Sequence, residues 1–195
     1  MSSRLVCVGV AALSLSLGFT AHGQAVDSVT LNLGSAGQNS DNRVQLTFRG
    51  KIYKADSRKS FEELTKSGAT LLPEEKFVIG YVATNQTGDA GKIGALWNPS
   101  ERQSIRKMME NKEAMERNTA LFRNILESRL VGVMRYGQFS LVFVDHKLQG
   151  AGPYLKTYPV LVSGNTVYMT NQLSGDFFYE KLSSALAEFI ESKIK

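Results

Sequence analysis

Thiols and imidazoles are scarce in this chain of 195 residues, which holds one cysteine, Cys7, and two histidines, His22 and His146. A single cysteine cannot close an intramolecular disulfide, and two histidines do not furnish a multi-histidine zinc site. Cys7 and His22 both fall in the first 25 residues, so the remainder has one imidazole and no thiol. That excludes a cysteine nucleophile and iron–sulfur ligation there. Long runs of like charge are also missing. The balance of 23 basic against 18 acidic residues is mild, and no basic stripe points to nucleic acid. Catalytic signatures are absent too. Neither Ser140 nor Ser163 lies in a Gly-x-Ser-x-Gly elbow. The run from Gly150 to Pro153 lacks the Lys-Ser/Thr pair and the following helix of a phosphate cradle, so it reads as a turn.

What the start does contain is ordered. Arg4 makes a short positive region, an apolar stretch runs from Leu5 to Phe19, and small residues follow at Ala21, Gly23 and Ala25. This is the layout of a secretory signal peptide. Its apolar stretch of about 15 residues falls short of the roughly 20 that span a bilayer. Cleavage after Ala25 puts Gly23 and Ala25 at the two small positions, and cleavage after Gly23 puts Ala21 and Gly23 there. The first is adopted, giving a signal peptide over 1–25 and one domain over 26–195. The expected location is a bacterial periplasm or the exterior, with no stable membrane anchor after cleavage. Removal of Arg4 leaves 22 basic residues against 18 acidic ones.

Beyond the start, the hydrophobic period predicts an α+β fold. Residues from Ser28 to Leu33 and from Arg43 to Lys54 alternate as a strand pair around a polar loop at 34–42. Ser60 and Glu63 have capping-box spacing before a two-turn helix closed by Gly68. Pro73 starts a longer helix with Phe77, Val78, Tyr81 and Val82 on one face, ended by Gly88. Glu74 and Glu75 are expected to serve its dipole. Asp89 caps the next helix, which carries Ile93, Leu96 and Trp97, and Asn98-Pro99-Ser100-Glu101 reads as a further cap. An apolar stripe continues through Ile105, Met108, Met109, Leu121, Phe122, Ile125 and Leu126, with a break near Asn111. Then come four strands, from Leu130 to Tyr136, Phe139 to His146, Tyr154 to Val162 and Thr166 to Asn171. Gly137-Gln138 and Gly164-Asn165 form tight turns, Gly164 supplying a positive φ. Asp176 caps a long C-terminal helix with Phe178, Leu182, Ala185, Leu186, Phe189 and Ile190 at helical spacing. The expected architecture is therefore helices packed on a curved antiparallel meander, with an N-terminal strand pair and a C-terminal helix.

The segment NQTGDAGKIGALWNPSER, placed between the helix from Pro73 and the meander, resembles the helix link of the nuclear-transport-factor-like superfamily, the cystatin-like α+β cone. The resemblance covers about residues 73–176. It implies a conical pocket between sheet and helices, in members that range from isomerases and dehydratases to binding modules, so fold does not settle function.

Candidate site residues follow from residue type. Tyr81, Trp97, Tyr136, Tyr158 and Tyr168 are candidates for lining a ligand pocket, because a ring with a polar tip both fills space and orients a ligand. Tyr154, Lys156 and Tyr158 share one strand face. Asp145 and His146 are the weak catalytic candidates, with Asp176 and the tyrosines as helpers. As strand neighbours they point to opposite faces, and His146 is expected at a strand end beside solvent. The leading expectation is an exported, non-catalytic binding or interaction protein without cofactor or metal, its partner a small apolar ligand, an envelope protein or a second copy of the chain. The alternative is a pocket enzyme of the isomerase or dehydratase type using His146 or Asp145 with tyrosines. The export reading is checked by N-terminal sequencing of the exported protein, which should begin at Val26 or, with the other cut, at Gln24; recovery of Met1 would refute it.

Overall fold

The computed structural model describes residues 25–32 and 45–192. The expected signal peptide over 1–25 lies outside them except for Ala25, and so does the expected polar loop at 34–42. The described chain is α+β, built on one antiparallel sheet of six strands in sequence order: β1 (Ala25–Asn32), β2 (Gln45–Tyr53), β3 (Ile125–Tyr136), β4 (Phe139–Leu148), β5 (Pro153–Ser163) and β6 (Thr166–Met169). Five helices are inserted between β2 and β3: α1 (Phe61–Lys66), α2 (Pro73–Thr87), α3 (Ala90–Ala95), α4 (Arg102–Glu110) and α5 (Lys112–Arg123). The last helix, α6 (Phe177–Ser192), follows β6.

Local chemistry accounts for most of the boundaries. Ser60 and Glu63 cap α1 reciprocally, the hydroxyl accepting from Glu63 N and the carboxylate from Ser60 N. Pro73 opens α2 and Gly88 closes it in the left-handed conformation, at φ 74°. Asp89 and Asn111 cap α3 and α5 through their side chains, so the break at Asn111 is a true helix end. Asp176 accepts from Tyr179 N at the start of α6. The turn after Asn98 departs from expectation. Instead of starting a helix, Asn98 to Glu101 form a turn, and α4 begins only at Arg102. The Glu101 carboxylate is drawn away to Thr170 Oγ1 and Asn171 N, both at 2.7 Å, and so ties the turn to the end of β6.

Both sheet faces are covered, and the strand period sorts the side chains. Val133, Val142, Val144, Tyr158 and Val160 face the inserted helices, where Val78, Tyr81 and Val82 of α2 complete one core. Val131, Met134, Leu141 and Phe143 face the other way and pack with Leu182 and Leu186 of α6. A fully buried aliphatic side chain contributes about 1.5 to 3 kcal/mol, so each layer is a substantial driving force. A register shift between Leu130 and Gly132 gives β3 an extra residue, which bends it and lets Leu130 share a core with Val133, and Val131 with Met134, although each pair is three residues apart. The helical stripe through Ile125 and Leu126 needs correction. Both residues belong to β3; Leu126 is exposed, as are Leu121 and Met108.

The strand pair β1–β2 joins the rest along a narrow seam, where Gly50, Lys51 and Ile52 pair with Met134, Val133 and Gly132. Glycine is needed there for closeness. A Cβ on Gly132 would lie 2.3 Å from the Lys51 carbonyl oxygen, and one on Gly50 would lie 2.8 Å from that of Val133. Gly164 is glycine for a different reason: its φ is 57° and nothing surrounds it. Gly164→Val should therefore cost about 1 to 3 kcal/mol through backbone strain, and Gly132→Ala about 3 kcal/mol or more through the forced separation of β2 and β3. Urea unfolding measures both, and wild-type stability in Gly164→Val would remove the requirement for a positive φ in the β5–β6 turn.

Candidate functional site

The helix-facing side of the sheet holds a cavity of about 230 Å³ at its β5–β6 end. Four elements contribute the rings of its wall. Tyr81 comes from α2, Trp97 from the turn after α3, Phe122 from the end of α5, and Tyr158 from β5. Tyr81 lies at the centre: its ring meets those of Trp97, Phe122 and Tyr158 edge to face, with centroids 6.4, 5.9 and 5.9 Å apart, the arrangement ring quadrupoles favour. Burial pushes the Tyr81 phenol up to about 12, and burial also raises Tyr158. Both are therefore uncharged phenols at neutral pH.

Two polar features of the wall are unusual. Trp97 is only 7% exposed, yet its indole N–H has no hydrogen-bond partner, although buried donors are normally paired. Lys156 is the only charged residue among those lining the cavity. It is exposed and makes no ion pair among the described residues.

Behind the wall lies a buried polar string. His146 is fully buried; its Nδ1 lies 2.8 Å from Ser128 Oγ on β3 and its Nε2 lies 2.7 Å from Tyr158 OH on β5. The expectation of a solvated strand end is thus corrected. β4 continues to Leu148, and pairing with both Ser128 and Tyr154 keeps position 146 inside the sheet. Burial, assisted by the nearby Lys156 charge, lowers the imidazole from 6.5 to about 4. A neutral ring has one N–H and one lone pair, so one hydroxyl donates to it and the other accepts. With no carboxylate on either nitrogen, nothing stabilises an imidazolium, and a base of this strength scarcely activates Ser128 at neutral pH. Asp145 points to the opposite face, half-buried, where it bears on the buried Arg58 guanidinium.

A second polar cluster anchors the start of α2. Glu74 and Glu75 are both buried, not surface partners of the helix dipole. Glu74 pairs with Arg135 at 2.9 Å, and Ser140, which donates to Glu74, accepts from Arg135 at 2.6 Å. Glu75 accepts from Tyr53 OH at 2.9 Å and from Leu72 N at 2.8 Å; its carboxyl is nonetheless raised because burial outweighs these bonds. Sequence reasoning missed this pair, since two glutamates after an N1 proline read equally well as exposed. Their signal was a partner set spread over β2, β3 and β4.

Of the five aromatic candidates, the fold brings Tyr81, Trp97 and Tyr158 together at the cavity and adds Phe122, which residue type alone did not single out. Tyr136 and Tyr168 lie elsewhere. Tyr136 stacks on Phe178 of α6 and donates to Asp176, while Arg102 lies over the Tyr168 ring. Ser163 is exposed at the end of β5. Among the described residues no three His, Cys, Asp or Glu side chains gather as a metal site, and no helix is long and apolar enough to cross a membrane. Comparison with known proteins finds no family model, no curated protein and no solved structure that matches this chain.

The buried imidazole makes stability depend on pH with a defined sign. As pH falls from about 6.5 toward 4, the unfolded chain takes up a proton at position 146 that the folded chain refuses, so His146 removes about 3 kcal/mol of stability across that window. Glu75 acts in the opposite direction, because its raised carboxyl takes up a proton more readily when folded. The variant His146→Gln isolates the histidine. It should be about 1 to 3 kcal/mol less stable at pH 7.5 and close the gap to wild type as pH approaches 4. A gap that stays constant in denaturation curves over this range would show that His146 is not held neutral.

Proposed function

We propose that this chain is an exported, non-catalytic binding domain whose aromatic cavity takes a small apolar ligand. The observation that carries this reading is the cavity of about 230 Å³ walled by the rings of Tyr81, Trp97, Phe122 and Tyr158. A bound molecule would fill a space that packing of the chain alone leaves vacant. The order of residues at the start supports export, and the placement of α2, the Gly88-Asp89 junction and the Trp97–Pro99 turn against the sheet supports kinship with the nuclear-transport-factor-like cone. The strand pair β1–β2 and the outer helix α6 are additions to that minimal plan.

The enzyme alternative lacks its machinery at this cavity. His146 has both nitrogens engaged behind the wall, and Asp145 faces the other side of the sheet. Tyr158 reaches the cavity, but burial holds its proton too tightly for acid–base work near neutral pH.

Trp97 is the sole tryptophan of the chain, so its emission reports the cavity without interference. Benzyl alcohol should shift that emission saturably and raise stability by about 2.7 kcal/mol at a hundredfold excess over its Kd. Native mass spectrometry of protein purified from its own host should show a retained mass that denaturation releases. Silence in both measurements would defeat the binding reading.

A further inference from the structure

Resting on that reading, we propose that the ligand class is a small aromatic carboxylate, with its ring in the Tyr81–Trp97–Phe122–Tyr158 cage and its charge toward Lys156. Size sets the first limit. An apolar cavity of about 150 Å³ takes a benzene molecule, so 230 Å³ takes one ring with a substituent of about three or four further heavy atoms.

Charge sets the second. No Asp or Glu lines the cavity, and its single formal charge is the ammonium of Lys156. Glu101 is the carboxylate tied to the rim, and both of its oxygens are taken, by Thr170 Oγ1 and Asn171 N. Aromatic cages also suit organic cations, but here a cation would enter beside an unpaired lysine. An anion meets the opposite situation: an ammonium that lines the cavity and makes no ion pair among the described residues. A carboxylate brings the counter-charge and the acceptor lone pairs that this ammonium lacks. The neighbouring His146 offers it no competing charge, being uncharged at neutral pH and bonded to Ser128 and Tyr158.

The test uses three probes of matched size, phenylacetate, phenylacetamide and phenethylamine, titrated against Trp97 emission of the whole chain at pH 7.5 and low salt. Phenylacetate should bind about three- to tenfold tighter than the amide, as expected for one partly exposed charge pair, and the amine should bind weakest. Lys156→Met should abolish the preference for the acid over the amide; added salt should weaken that preference in wild type. If the amide binds as tightly as the acid, or if Lys156→Met keeps the preference, the carboxylate class is wrong while the cavity remains a binding site. If none of the three probes moves the emission, the binding reading falls with it.

Discussion

One phenol ring holds the cavity end of this molecule together. Tyr81 touches the rings contributed by α5, by the turn after α3 and by β5, so the cavity exists only while α2 stays at its depth and rotation on the sheet. That position is set from both ends. At the start of the helix, Glu74 and Glu75 are tied to β2, β3 and β4. At its end, Asn85 donates to the Tyr81 carbonyl and accepts from Asn118 of α5. A buried carboxylate is costly unless paired, and this makes the anchor directional. The helix cannot slide or rotate without stripping a charge of its partners.

The same logic explains why the polar string through His146 is neutral while the cluster at Glu74 is ionic. Arg135 is half exposed, so Glu74 meets its counter-charge close to water. His146 has only hydroxyls for neighbours and a lysine charge nearby, and neutrality is the state that satisfies the ring. Polar groups at the two ends of one sheet face thus differ in kind, one a neutral hydrogen-bonded string and the other an ion pair, each dictated by what lies within hydrogen-bonding reach.

Much of the fold was legible in the chain. Capping residues at Ser60, Asp89 and Asp176, the N1 proline at Pro73 and the left-handed glycines at Gly88 and Gly164 act within a few residues of themselves, and each lies where its chemistry demands. Alternation in β4 and β5 identified which side chains share a face. Readings failed where a partner far along the chain decided the matter. Glu101 left its helix for Thr170, Ile125 joined a strand because β4 was there to pair with it, and His146 was buried by neighbours on β3 and β5. For the site, three of five aromatic candidates converged and two did not, because a tyrosine on a strand gives no sign of which helix will cover it.

The outer helix has a consequence for the order of events in the life of the chain. The two first strands hold the sheet by three residue pairs, and Ile52 of that seam lies in the same apolar cluster as Leu182 and Leu186 of α6. The earliest part of the domain is therefore locked by its latest part. During synthesis this seam therefore stays uncovered until α6 has been made.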